Sequence, residues 1–235
     1  MNNSALIMVI STFDKNEIRD FTRFVNSPFF NGRKETKLFW GVVKKFYPDF
    51  SGKNFNAEFI FGKIYPERAF DIAEIRRLSS YTLKLAEQYL SYKGLKNEPF
   101  YLDLSLSIQY SERGLYGRSQ KQLEATDSKH SAQKGDYEFY FWKRYLIERH
   151  KNSLYSYRGN DHLATESIIT RTDMFSYHTA AVMCKSIISL FINEKNFNAD
   201  YNNSDFYQMV KILDLDKYIN SLAEKKFRIL SGIGS

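Results

Sequence analysis

Long stretches of this sequence contain nothing that would turn the chain. Four prolines and eleven glycines are spread over 235 residues, while aromatic residues make up 17%. A sandwich of short strands needs frequent turns and the Gly and Pro that make them. Few breakers and many large side chains favour long helices with broad contacts, and so an all-α fold. Hydrophobic residues at 43% and charged residues at 26% are ordinary for a globular chain long enough to bury a core.

Helix starts are written locally. Asp14-Lys15-Asn16-Glu17 has the form of a capping box, with Phe13 and Ile18 placed as a hydrophobic staple. Ile18, Phe21, Phe24 and Val25 recur at helical spacing until Ser27-Pro28 stops them. A second helix is predicted from about Gly32 to Tyr47, ended by Pro48, with Leu38, Phe39, Val42, Val43 and Phe46 as its apolar stripe. A short one covers Ala57 to Ile64. Asp71-Ile72-Ala73-Glu74 repeats the box, with Phe70 and Ile75 as staple, and opens a helix to about Tyr92 with Lys93-Gly94 as its end. Residues 1–94 therefore read as a four-helix unit.

Beyond Gly94, one helix is predicted from Pro99 to Arg113-Gly114, a partner over 115–132, and an aromatic helix from Tyr137 to His150. A polar loop over 152–160 follows. Further helical sequence then runs to about Glu194 as two helices meeting near Thr172-Asp173. A last hairpin covers 204–213 and 216–230. Tyr137, Phe139, Tyr140, Phe141, Trp142 and Tyr145 surround their helix. That pattern predicts an inner helix buried on all sides; a base-stacking platform is the alternative, with only Lys143 and Arg144 interleaved.

Several quoted segments resemble an uncharacterised family of bacterial helical-repeat proteins. They are Ser27-Pro28-Phe29-Phe30-Asn31, Leu38-Phe39, Phe46-Tyr47-Pro48-Asp49-Phe50 and Arg76-Arg77-Leu78-Ser79-Ser80. Arg113-Gly114-Leu115-Tyr116 and the helix from Tyr137 are similar to that family's first tetratricopeptide-like hairpin, and Leu163 to Glu194 to its next pair of helices. The resemblance implies antiparallel hairpins stacked as a tetratricopeptide-like solenoid over 95–235, shortened at its end and used for protein interaction. It implies no catalytic residue. In Ser27–Asn31, Phe29 and Phe30 are expected to plug the junction of the first two helices and Asn31 to cap the second.

No chemistry-bearing constellation is legible. His130, His150, His162 and His178 are scattered without metal-ligand spacing. Gly114-Leu115-Tyr116-Gly117-Arg118-Ser119 lacks the Lys-Ser/Thr of a phosphate loop and reads as a helix junction. Cys184, the one cysteine, precludes an intramolecular disulfide and is expected as a small buried hydrophobe. The expectation is a non-enzyme with no cofactor, no metal and no small-molecule substrate. Met1 to Ile10 lacks the basic start of a signal peptide, and no membrane span is expected, so the predicted location is cytoplasmic.

Charge is uneven. Residues 1–100 carry a net +5, residues 101–160 a net +3 and the remainder −1. Arg33, Lys37 and Lys44 fall opposite the apolar stripe of the second helix, with Lys34 and Lys45 beside them. These five residues are the candidate contact for an acidic protein partner or, as the alternative, for nucleic acid. The leading expectation is a scaffold that binds another protein.

Overall fold

The computed structural model describes residues 4–131, 137–197, 204–212 and 217. Among them the chain is all-helical, with ten α-helices and no strand. It divides into two compact units, Met1–Pro99 and Phe100–Ser235.

The first unit is α1 (Ala5–Ile10), α2 (Lys15–Asn26), α3 (Lys34–Val43) with a 3-10 turn at Lys44–Phe46, α4 (Ala57–Ile64) and α5 (Ile72–Lys96). Asp14 caps α2 as its sequence dictates. Its Oδ1 accepts from the backbone N–H groups of Asn16 (2.7 Å) and Glu17 (2.9 Å), and Glu17 Oε2 accepts from the Asp14 N–H (2.8 Å). The long α5 packs against α1, α2, α3 and α4 and so closes one continuous apolar core. At its centre the Phe21 ring meets Trp40 at 4.7 Å and Tyr89 at 5.6 Å. The buried indole N–H of Trp40 donates to Thr22 Oγ1 at 3.0 Å, leaving that polar atom satisfied.

Four expectations change in this unit. The run Ala5–Ile10 is itself a helix, opened by Ser4, with Leu6, Ile7 and Ile10 buried. An unbroken apolar run shows no period, so its helicity was not visible. The second helix begins at Lys34 and ends at Val43, giving way to a 3-10 turn. Asp71 caps α5 by accepting from the Ala73 N–H, and the reciprocal arm of the expected box is missing because the Glu74 carboxylate is engaged by Arg77 and Tyr65. Gly94 is no terminus, since α5 continues through it to Lys96.

The second unit contains α6 (Pro99–Glu112), α7 (Tyr116–Ser131), α8 (Tyr137–Tyr157), α9 (Asp161–Phe197) and α10 (Asp205–Ile212). Gly114 and Gly159 adopt φ of +72° and +67° after α6 and α8. The following N–H groups of Leu115 and Asn160 return to Tyr110 and Tyr155 carbonyls at 2.9 Å, which is the Schellman arrangement that favours glycine. α7 packs on α8 and α8 on α9.

Here too expectations are corrected. Most of the expected loop over 152–160 is helix, because Leu154 is buried and the Asn152 amide donates to the Ala164 carbonyl at 3.0 Å. The two helices expected to meet at Thr172-Asp173 are one helix, α9. Thr172 Oγ1 bonds to the Ile168 carbonyl within it at 2.9 Å, and no breaker interrupts it. The aromatic residues of α8 are not enclosed on all sides. Phe139 is 55% exposed, and Phe141, Trp142 and Tyr145 are half-buried against Tyr177, His178 and Phe175 of α9. They form a seam between two helices. Cys184 is half-buried. Of the last hairpin, α10 is the first arm, and residues 216–230 lie, Lys217 apart, outside the described residues.

Candidate functional site

The α3 face separates into two behaviours. Lys34 and Lys45 are exposed and Lys37 and Lys44 half-buried, and no ion pair joins any of the four to a described carboxylate. Arg33 differs. It sits at the N-cap position of α3, and its guanidinium lies 3.7 Å from the centroid of the Tyr81 ring on α5. Arg77, one helical turn before Tyr81, lies 5.8 Å from the same centroid. Their guanidinium carbons are thus at most about 9.5 Å apart, the sum of the two distances. Hydrogen bonding and charge from Arg33, then from Arg77, pull the Tyr81 phenol below its ordinary pKa.

The row continues. Glu74 accepts from Arg77 Nε and Nη2 at 2.9 and 2.6 Å, a two-point grip, and from the Tyr65 hydroxyl at 2.8 Å. The Arg77 and Tyr65 bonds hold the Glu74 carboxyl below its usual range. Burial, with the Glu74 bond second, pushes the Tyr65 phenol up, and the Glu74 contact raises Arg77. Arg68 then covers Tyr65 at 4.5 Å and reaches Phe61 at 5.9 Å. Arg33, Tyr81, Arg77, Glu74, Tyr65 and Arg68 therefore form one row of three cations, two phenols and a single carboxylate.

Of this row the sequence marks Arg33 by position, and Arg77 as one of the arginines (with Arg19, Arg23 and Arg76) that the nucleic-acid alternative would bring toward Arg33, Lys37 and Lys44. Glu74 had been assigned to a capping box, and the pairing of Tyr65 with residues beyond Pro66 is tertiary. The readable signal was the i, i+4 spacing of Arg77 and Tyr81 on one helix face. Of the other basic groups, Arg19 and Arg23 both lie 3.6 Å from Asp20. Arg76 lines an open depression of about 520 Å³ together with Leu6, Ile75 and Leu83.

Comparison of the chain with family models, curated proteins and solved structures gave no match.

A second surface lies at the turn between α2 and α3. Asn31 is buried; its Nδ2 donates to the Val25 carbonyl at 2.8 Å, and its Oδ1 accepts from the Arg33 N–H at 3.0 Å. It pins the turn rather than occupying the N-cap. Phe29 does not plug the junction: it is 87% exposed, and the core position there belongs to Trp40. Phe30 stacks on Phe24 at 3.9 Å and meets Phe29 edge-on at 4.9 Å. With Tyr92 and Leu95 of α5 they line a shallow groove of about 660 Å³.

The second unit holds a serine–histidine contact that invites a catalytic reading. His150 Nε2 lies 3.1 Å from Ser107 Oγ and 3.3 Å from Ser119 Oγ. Each serine hydroxyl also bonds the other's carbonyl, at 2.8 and 2.7 Å. With both hydroxyl protons so committed, the imidazole serves as donor through an Nε2–H tautomer. Both serines are fully buried. A hydroxyl with no access to substrate and no base to take its proton is a helix clasp, not a nucleophile. Among the described residues no group of three or more His, Cys, Asp or Glu could hold a metal ion. α9 is long and apolar enough, by length and composition alone, to cross a bilayer. Its Lys185 pairs with Glu138 of α8 at 2.9 Å.

Proposed function

We propose that this protein is a non-enzymatic scaffold that binds another protein, working in the cytoplasm through a tetratricopeptide-like stack of helical hairpins. Consecutive packing of α7, α8 and α9 supports the stack. One observation carries the binding role: Phe29 is presented almost wholly to solvent by a turn that buried Asn31 locks in place. An exposed aromatic cluster on a fixed backbone loses little freedom on docking, and such aromatic anchors dominate protein interfaces. The test is affinity capture from native cell extract with wild type and Phe29→Glu. Wild type should enrich a defined partner, and the variant should lose it while its helical content and melting temperature stay unchanged. Equal recovery by both, or recovery of chaperones alone, would count against the reading.

Nucleic-acid binding is the second reading, favoured by the meeting of Arg33 and Arg77 at Tyr81. It requires oligonucleotide affinity that falls steeply with salt.

A further inference from the structure

The arginine–tyrosine row has properties that a merely solvated charged face lacks. Arg33 lies over Tyr81, 3.7 Å from the ring centroid, and also hydrogen bonds to that phenol, so one side chain positions its guanidinium. Neither Arg33 nor Arg68 forms an ion pair with a described carboxylate; Glu74 is spent on Arg77 and Tyr65, and Glu35, in the first turn of α3, acts on Tyr65 and offsets part of the positive charge. A net positive charge therefore remains, presented by groups that are already ordered. Arg33 also leaves the first turn of α3 without a side-chain cap, and the N–H groups of that turn add to the attraction for an anion. Lys37, one turn after Arg33 on α3, extends the charge along the same helix face.

We propose that this row docks an acidic segment of the protein partner, with Arg33 pairing with one of its carboxylates while Arg77 stays held by Glu74. The inference rests on the scaffold reading and names the chemistry of what the scaffold holds. Several features favour a peptide over a nucleic acid. Tyr81 and Tyr65 already carry guanidinium groups on their rings, so they offer no open platform for a base. Glu74 stands in the middle of the row, where a continuous phosphate track would pass it. Arg33, which no described carboxylate neutralises, suits an acidic side chain, with which a guanidinium forms a charge-assisted pair.

The test uses the full chain, a labelled polyglutamate peptide and, in a parallel arm, a thymidine oligonucleotide of equal charge, each at low and at physiological salt. The peptide should bind wild type and bind it better than the oligonucleotide. Arg33→Ala should weaken peptide binding about tenfold, the loss of one charge-assisted pair. Arg33→Lys should restore little, because lysine keeps the charge without the fork. Arg76→Ala, which is off the row, should change nothing. Arg33 is exposed, so an unchanged melting temperature confirms that the variants fold. Absence of peptide binding, equal binding by Arg33→Ala, or preference for the oligonucleotide overturns the inference. Native partner capture separates the two ideas. A partner kept by Arg33→Ala but lost by Phe29→Glu sinks the row and leaves the scaffold standing, whereas wild type capturing no partner sinks the scaffold itself.

Discussion

The two units of this chain bury different things. Among the described residues, twenty apolar side chains form one continuous core in the first unit, and only Asn31, Thr36 and Thr82 are buried polar groups there. The second unit's cluster contains five apolar side chains, Phe100, Leu104, Leu123, Ile147 and Leu154. Beside it are buried Ser107, Ser119, Thr126, His130, Glu148 and Ser167. A half-buried network adds Asp127, which pairs with Arg144 and with Lys151 (3.1 Å), while Glu148 bonds to Lys151 at 2.8 Å. Apolar cores fail by losing volume. Polar networks fail by losing one partner, because each remaining group is then left desolvated and unpaired. The first unit should therefore respond most to truncation and the second to a change of charge.

The largest expected effect tests the first half of that contrast. Trp40→Ala removes the side chain that packs on Phe21 and donates to Thr22, and should cost about 3–5 kcal/mol. Trp40 and Trp142 are the only tryptophans, one in each unit. In the variant Trp142 emission therefore reports on the second unit alone, while amide exchange in α2 and α5 reports on the first. Exchange should accelerate in α2 and α5 well before Trp142 emission shifts. Unchanged exchange there would show that the core is not what holds this unit.

The contrast also marks what the sequence could reveal. The Asp14 capping box was legible because all its partners lie within three residues. The shortfall of the staple at Phe70, which is 47% exposed and edge-on to Phe61, was not, because tertiary contacts decide it. The all-α class followed from the scarcity of breakers, yet the C-terminal end of α8 was set too early and α9 was divided in two. Polar residues such as Asn152 and Thr172 look like loop markers until they are seen bonding helix carbonyls. Arg33 was legible as a charge, but its stacking on Tyr81 spans 48 residues and leaves no local trace. The five basic residues singled out by position thus contained one member of the row, and the other five came from α5 and the loop between α4 and α5.

The next effect tests the second unit through pH. Burial holds the His150 imidazole below its ordinary pKa of 6.5, outweighing the opposing Ser107 contact. A base whose pKa is depressed on folding binds fewer protons folded than unfolded. Stability is then complete above pH 6.5 and declines as pH falls below it, continuing down to the folded-state pKa. Acidification from neutrality to about pH 5 should therefore shift Trp142 emission at a denaturant concentration that leaves Trp40 emission unmoved. Single-tryptophan variants, Trp40→Phe and Trp142→Phe, separate the two signals. His150→Gln, which has no proton to gain, should flatten the response. A response that persists unchanged in His150→Gln would show that His150 does not carry it.

The smallest effect is at the helix ends of the first unit, where local signals are strongest and energies weakest. Asp14 satisfies two N–H groups and is itself approached by Glu17, whose second oxygen bonds Lys93 on α5. Asp71 satisfies only the Ala73 N–H. Asp14→Ala should lower the thermal midpoint by roughly a few degrees and Asp71→Ala by less. The Asp14 cap hydrogen bonds keep its carboxyl ionised below the usual carboxylate range. Its contribution should therefore be present at neutral pH and fade only in acid below the ordinary carboxylate pKa. Because Glu17 joins the cap to Lys93, Asp14→Ala and Lys93→Ala should combine to less than the sum of their separate effects. Strict additivity would mean that the cap and the α2–α5 contact act independently, and that the core alone sets where α5 lies.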